Sequence, residues 1–211
     1  MALRIVLLVL ALCYGYAVIR YHVVRDVPFE GGFLFVANKA IALAATLLIG
    51  LSYLLGPLAH FSPRKFVPRL PLRKPLGLYG FALASVHVLV SLILFSPAHY
   101  PKFFDANGIL NATGVGVLFF GILALVIFTV VAAASVPSIA ASMGEGRWKS
   151  LQRLGYLAYF FVLLHVVVMG FSGWQSAASY EYGLISISLI AALAIVLVFT
   201  ARALALPFPR K

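Results

Sequence analysis

The sequence predicts an all-α, polytopic membrane protein with six transmembrane helices and with both termini in the cytoplasm. Of the 211 residues, 64% are hydrophobic and only 10% are charged, and the mean hydropathy is +1.08. Soluble domains usually carry about 25% charged residues, so this composition excludes a soluble protein. Six apolar segments have the length of membrane-crossing helices: about 3–19, 33–59, 76–96, 114–136, 154–172 and 183–201. They leave no separate soluble module, and we expect residues 1–211 to form one membrane domain.

The distribution of charge predicts the orientation of these helices. If the N-terminus lies in the cytoplasm, the inner loops and termini carry 12 basic residues and one acidic residue, whereas the outer loops carry four of each. The whole net charge of +11 then lies on the inner side, as the positive-inside rule requires. We therefore attribute the basic excess to topology and expect no nucleic-acid partner.

The first apolar segment resembles a signal peptide, because Arg4 precedes its apolar run. No small-residue cleavage site follows, so we expect a retained helix. The outer loop at residues 20–32 is polar, and its His22 is expected to be exposed. In the second segment, Lys39 lies about one to two turns inside the outer end. Two explanations stay open for Lys39: its ammonium snorkels to the interface, or it pairs with an acidic group at the outer membrane surface.

The remaining elements alternate between the two sides of the membrane. Residues 61–75, FSPRKFVPRLPLRKP, form a basic, proline-rich inner loop that should not continue the helix and is predicted to contact anionic lipid headgroups. The outer loop after the third segment is aromatic, which is typical of an interfacial belt, and it is also a candidate docking surface. The fourth segment has no ionisable residue and is predicted to be structural. The fifth helix is predicted to open with Arg147-Trp148 after the MGEGR turn, and the sixth precedes a short basic tail.

Two histidines lie within apolar helices in matching surroundings. Small residues precede each of them at helical spacing: Gly77, Gly80 and Ala84 before His87, and Gly155, Ala158 and Val162 before His165. These stripes predict room for a flat ligand beside each imidazole. The third and fifth segments run in the same direction, and each histidine lies about 16–18 Å from the inner end of its helix. Both imidazoles are therefore expected at nearly equal depth, in the outer half of the bilayer.

Two neutral imidazoles at one depth are suited to supply both axial ligands of a b-type haem. Because two histidines fill both axial positions, such an iron is suited to one-electron transfer. In this hypothesis the acidic partner of Lys39 is a haem propionate. The alternative is that each histidine only hydrogen-bonds to a neighbouring helix, and that the small residues serve helix packing.

Other chemistry is poorly supported by the sequence. The lone Cys13 excludes an internal disulfide and a cysteine-based metal cage, and without a CxxCH motif the haem would be non-covalent. None of the five acidic residues lies deep in a helix, which disfavours a proton-relay transporter. No glycine-rich phosphate loop occurs in a strand–helix context, so we expect no binding of NAD(P)H or ATP by this chain.

Three stretches resemble the ferric-reductase-like transmembrane superfamily, and within it most closely the MsrQ (YedZ) branch. Residues 73–87, RKPLGLYGFALASVH, resemble the family signature that ends in a ligand histidine. Residues 147–165, RWKSLQRLGYLAYFFVLLH, resemble a second family segment, and TLLIGLSYLLGPLA at 46–59 is a looser match. The resemblance covers about residues 33–172.

This resemblance implies a b-type cytochrome in the bacterial inner membrane, an electron-transfer subunit rather than a catalytic chain. MsrQ-like proteins pass electrons from a quinone or a cytosolic flavin reductase to a periplasmic, molybdenum-containing methionine-sulfoxide reductase subunit, which repairs oxidised methionine. Quinone or FMN is implied as a further cofactor. His87 and His165 fall on the family's haem-ligand positions, but Gln152 replaces the family's other ligand histidine, and we therefore predict one haem. Asn38 and Lys39 stand where the family has Gly-Arg.

Two other functions remain open at this point. One is a stand-alone ferric or quinone-linked membrane reductase of the same superfamily. The other, from a different class, is a haem-free helical scaffold or transporter in which both histidines are packing groups.

Overall fold

The structure, a computed structural model, describes residues 1–205, and at residues 178 and 179 it describes the backbone only. Within this range the chain forms eight α-helices and no β-strand: α1 (Ala2–Val18), α2 (Phe29–Phe61), α3 (Pro63–Phe66), α4 (Arg73–Ile93), α5 (Ala112–Ala133), α6 (Pro137–Ser142), α7 (Glu145–Trp174) and α8 (Ile187–Ala205). Six helical stretches of this part of the chain are long and apolar enough to cross a membrane. The predicted all-α class with six transmembrane helices is confirmed. The cytoplasmic termini stay a prediction, and Arg210 and Lys211 lie outside the described residues.

α7 begins at Glu145, two residues before the Arg147-Trp148 pair at which the fifth helix was predicted to open. Gly144 adopts a φ of +65°, a conformation that glycine reaches without steric cost, and the chain turns there. The charged run that follows is therefore helical. Its first turn carries an exposed ion pair between Lys149 and Glu145, with an N···O distance of 2.5 Å.

The basic, proline-rich segment that was predicted to be an inner loop is more regular than expected. α2 ends at Phe61, but most of residues 61–75 form helical turns, because α3 is followed directly by a 3-10 helix at Val67–Leu72 and then by α4. Pro63 lies in the first turn of α3, where its missing N–H removes no helical hydrogen bond. The prolines therefore divide this region into short helices instead of leaving it irregular.

The segment after α1, which was predicted to be a polar outer loop, is also folded more tightly than expected. A π-helix at Ile19–Val23 extends α1 and buries Arg20 and His22, which are only 2% and 8% exposed. The His22 ring stacks on Phe29 with centroids 3.8 Å apart, and its Nδ1 donates to the Val27 carbonyl at 2.6 Å. The prediction that His22 is exposed is wrong, because the π-turn directs this ring inward.

Two compact units divide the described chain, and the first contains residues 1–87 together with Ile190 and the residues after it. Its apolar core includes Val6, Leu48, Leu55 and Leu76. At the start of α4 the Ser52 hydroxyl donates to the Arg73 carbonyl at 2.7 Å, and the Arg73 Nε donates to the Ser52 carbonyl at 3.1 Å. This reciprocal pair fixes the start of α4 against α2.

Two of the glycines that precede His87 serve the packing of α4 on α2. A Cβ at Gly80 would lie 2.6 Å from Ile49 Cγ1 and 3.1 Å from the Ala45 carbonyl oxygen, and one at Gly77 would lie 3.3 Å from Ser52 Oγ. The prediction that this stripe leaves room for a flat ligand is therefore wrong at these two positions. Here the small residues allow close contact between two helices.

The second unit contains residues 88–189 and is built on the antiparallel pair α5 and α7. At one end of the pair, Trp148 Nε1 donates to the Ala134 carbonyl at 3.1 Å. Near the middle, Phe120 and Phe161 stack with centroids 6.2 Å apart. Beyond the other end of α5, the loop residue Lys102 donates to the Met169 carbonyl of α7 at 2.6 Å. α7 is thus held at both ends and in the middle.

Candidate functional site

His87 is held by a buried amide on the neighbouring helix. Its Nδ1 lies 2.9 Å from Asn38 Oδ1 in α2, and Asn38 is only 1% exposed. Because an amide oxygen only accepts hydrogen bonds, Nδ1 must carry the hydrogen and donate it. In the neutral ring, the lone pair is then on Nε2.

His165 has the same arrangement with a main-chain partner. Its Nδ1 donates to the Val117 carbonyl oxygen of α5 at 2.8 Å. Gly121 lies one turn further along α5, and a Cβ there would lie 3.0 Å from His165 Nδ1. The missing side chain at Gly121 is what allows the imidazole to approach the carbonyl. The Nε2 of His165 therefore also carries the lone pair.

The chemistry of these two rings fits haem iron. Histidines that bind metals usually donate their other ring N–H to a carbonyl or carboxylate, which fixes the tautomer and the ring orientation. His87 and His165 each meet this condition within their own unit, and each ring is half-buried. The structure thus provides two imidazoles whose Nδ1 is engaged by an oxygen of a neighbouring helix, an arrangement that suits axial ligands of haem iron.

Lys39, the third predicted site residue, lies among aromatic rings and other cations. Its Nζ is 4.2 Å from the centroid of Phe35 and 5.2 Å from that of Tyr21. Arg20 and Arg25 lie close enough to act on this ammonium electrostatically. The ring contacts agree with the snorkelling explanation, while the neighbouring cations would attract an anion to this end of α2.

Gln152, at the position of the family's other ligand histidine, takes part in helix packing. Its amide nitrogen lies 3.2 Å from Ser135 Oγ and 3.4 Å from the Val131 carbonyl. These contacts join α7 to the end of α5 on the side of Trp148. Gln152 thus has a structural partner, and its amide group is not a usual ligand of haem iron.

Sequence reasoning did not identify the groups that orient the two histidines. Asn38 is noticeable as a polar residue in an apolar segment, but its contact with His87 depends on how α2 and α4 pack. The Val117 carbonyl gives no signal in the sequence at all. Gly121 lies in a segment that was predicted to be structural, and a glycine alone does not indicate which side chain it faces.

Comparisons with known proteins agree with this picture of a membrane redox domain. The family described as ferric reductase like transmembrane component matches residues 41–163, a range that includes His87 and stops just before His165. The metalloreductase STEAP2 of mouse and that of human are each 29% identical over 173 residues, covering 70% of this chain and 35% of the relative. The chain therefore spans about a third of the length of these curated relatives. The family match covers more than half of the chain, which accordingly belongs to the ferric reductase like transmembrane components, a family of multi-pass membrane proteins.

Proposed function

We propose that this chain is a transmembrane b-type cytochrome that carries electrons through the membrane by means of one haem, with His87 and His165 as the axial ligands of its iron. The observation that carries this proposal is the matched state of the two imidazoles. Each donates its Nδ1–H to a carbonyl oxygen of a neighbouring helix and so presents Nε2 as the ligand nitrogen. When bound, the haem supplies a one-electron couple between ferric and ferrous iron.

The protein's part in this function is to orient the ligands and to exclude water. Asn38 and the Val117 carbonyl accept from Nδ1 and so direct the lone pair of each neutral ring to Nε2. The surrounding helices provide an apolar environment that disfavours the more highly charged ferric state.

We also propose Lys39 as the partner of a haem propionate. The cations at Arg20 and Arg25 support this role, because together with Lys39 they make this end of α2 attractive to a carboxylate. Replacement of Lys39 by methionine keeps the length of the side chain but removes its charge. We expect weaker retention of haem in Lys39→Met, and unchanged retention would leave snorkelling as the role of Lys39.

The finer form of the proposal is an MsrQ-like role in the bacterial inner membrane. The donor would be a quinone or a cytosolic flavin reductase, with quinone or FMN as a further cofactor. The acceptor would be a periplasmic, molybdenum-containing methionine-sulfoxide reductase subunit. The motifs at residues 73–87 and 147–165 support this form, and the basic inner loops support an orientation with both termini in the cytoplasm.

A second candidate is a reductase that delivers electrons to metal ions without a protein acceptor. It is favoured by the similarity to STEAP2, which is named a metalloreductase. The two candidates differ in the species that oxidises the reduced protein. Rapid oxidation by a ferric chelate would support the second candidate, whereas oxidation only by a molybdenum-containing partner would support the first.

The test of the common proposal is the absorption spectrum of the purified, reduced protein. We expect a b-type band that is lost in both His87→Ala and His165→Ala. His99→Ala is a matched control, because His99 lies in the outer loop beside Ser96 and should leave the band intact. An unaltered band in either of the first two variants would overturn the shared-ligand proposal, and a wild-type protein without any band would favour a haem-free scaffold or transporter.

A further inference from the structure

We propose that Asn38 is a positioning residue that orients the His87 ring and lowers the reduction potential of the iron that His87 binds. This inference rests on the proposed function, since it concerns the same histidine. It adds a residue that neither the spacing of the histidines nor the family resemblance assigns to the site.

Asn38 lies in a part of α2 where a polar side chain is costly. Asn38 is 1% exposed. Val36, two residues before it, and Ala40, two residues after it, are 0% and 3% exposed. Transfer of an amide out of water costs free energy unless a hydrogen bond replaces those lost to the solvent. The bond to His87 Nδ1 at 2.9 Å supplies such a replacement, so the position of the amide and the orientation of the ring depend on each other.

The bond also changes the ring as a ligand. An oxygen that accepts the Nδ1–H increases the electron density of the imidazole and makes Nε2 a stronger donor. A stronger donor stabilises ferric iron more than ferrous iron, because ferric iron carries the greater positive charge. Asn38 therefore favours the oxidised state, which means a lower reduction potential.

A purely structural role for Asn38 predicts a different result. Polar side chains in membrane helices often serve only to hold helices together. In that case, replacement of Asn38 would change the stability of the protein. The reduction potential of the iron would not depend on how strong a hydrogen-bond acceptor residue 38 provides. Two nearly isosteric replacements separate these roles: leucine removes the acceptor, and aspartate provides a stronger one.

The experiment is a redox titration of the purified full-length protein, followed by the absorption band of the reduced haem. The hydrogen bond shifts the potential only by the difference between its strengths in the ferric and ferrous states. A tenfold preference for the ferric state, about the most that a bond of ordinary strength can supply, corresponds to about 59 mV for a one-electron couple. We expect a rise of up to about this size in Asn38→Leu and a fall below the wild-type potential in Asn38→Asp. Thr46→Val is a matched control, because Thr46 is a buried polar residue of the same helix that donates to the Ala42 carbonyl; its potential should stay at the wild-type value.

The outcomes distinguish this inference from the proposed function on which it rests. A wild-type protein without haem would overturn both. Haem that is bound, with equal potentials in wild type, Asn38→Leu and Asn38→Asp, would overturn the role of Asn38 and leave the cytochrome intact. Loss of haem from Asn38→Leu, with haem retained at a lower potential in Asn38→Asp, would support the role of the acceptor. Loss from both variants would contradict it, because an aspartate oxygen can accept the same bond.

Discussion

At the scale of single residues, the geometry of the site depends on small groups beside the histidines as much as on the histidines themselves. His165 reaches the Val117 carbonyl because Gly121 has no side chain. A helix carbonyl is usually partly covered by side chains one turn later along the chain. Because Gly121 has no side chain, the Val117 carbonyl is left accessible to a donor from another helix, and the His165 imidazole donates to it.

Gly121→Ala should therefore displace the His165 ring. The added Cβ would lie 3.0 Å from Nδ1, a distance at which the ring or one of the helices must shift. We expect a clearly lower haem-to-protein ratio in the purified variant, measured from the absorption band and the protein concentration.

Gly116→Ala in the same helix is the control for Gly121→Ala. Its Cβ would meet a single neighbouring atom, Val168 Cγ1, at 3.3 Å, and a shift of a few tenths of an ångström relieves that contact. The haem ratio of this variant should stay near that of the wild type. Equal ratios in both variants would show that the close approach at Gly121 is not needed for haem binding.

The sequence predicts the identity of the candidate ligands better than it predicts their surroundings. His87 and His165 are noticeable because imidazoles are rare in apolar helices. Their oxygen partners depend on the rotation of each helix about its axis, which hydrophobic periodicity does not define in a chain that is apolar on most sides. His22 shows the same limit, since a π-turn that the composition does not reveal buries a ring that was expected to be exposed.

At the scale of elements, the pairing of α5 with α7 accounts for the position of His165. Trp148 and Gln152 join the helices at one end, His165 joins them near the other end of α5, and stacked phenylalanines lie between. A ligand on a helix that is fixed at several points keeps its orientation without additional contacts. This arrangement suits an electron-transfer site, where the ligands should change little between the two oxidation states.

Gln152→Ala tests whether this position has a structural role or a role in binding a second haem. Loss of its contacts with Ser135 and Val131 should lower the stability of the protein, with about 0.6 kcal/mol typical of such bonds in membranes. The haem-to-protein ratio should stay at one, because the proposed ligands are elsewhere. The measurements are thermal unfolding in detergent and haem content in parallel samples.

Two haems per wild-type chain, with one lost in Gln152→Ala, would contradict the structural role of Gln152. An unchanged haem content together with a small loss of stability would confirm it.

The transmembrane helices were predicted correctly because their length and hydropathy define them. The prediction was less successful in the proline-rich region, where single residues decide where each helix begins and ends. All six transmembrane segments appear near their predicted places. The start of α7, directly after the turn that Gly144 makes, lies two residues before its predicted opening at Arg147-Trp148. The proline-rich region was predicted as irregular because prolines disfavour helix interiors, but here they begin short helices.

At the scale of the whole molecule, the asymmetry of charge between the loops predicts the orientation in the membrane. Cys13 is the single cysteine of the chain, so Cys13→Ala gives a cysteine-free protein. In that background, Asn107→Cys and Arg64→Cys place single thiols at exposed positions of the outer and inner loops. These two variants are matched, because each replaces one exposed polar residue.

In intact cells, a thiol reagent that does not cross membranes should label Asn107→Cys. It should label Arg64→Cys only after the cells are opened. The opposite pattern would place the termini on the outer side and would contradict the topology drawn from the positive-inside rule. Labelling of both variants in intact cells would indicate leakage of the reagent, which the parent Cys13→Ala protein and a cytoplasmic marker protein control.

The two candidate ligands differ in how mutation can change them. The oxygen that His87 contacts belongs to a side chain, so one codon change at position 38 replaces it with a stronger acceptor, a weaker acceptor or none. The oxygen that His165 contacts belongs to the main chain at Val117, and every amino acid that could stand there has the same carbonyl group. Substitutions at position 38 can therefore change the electronic properties of His87 in small steps during evolution. His165 keeps a carbonyl acceptor whichever residue stands at position 117.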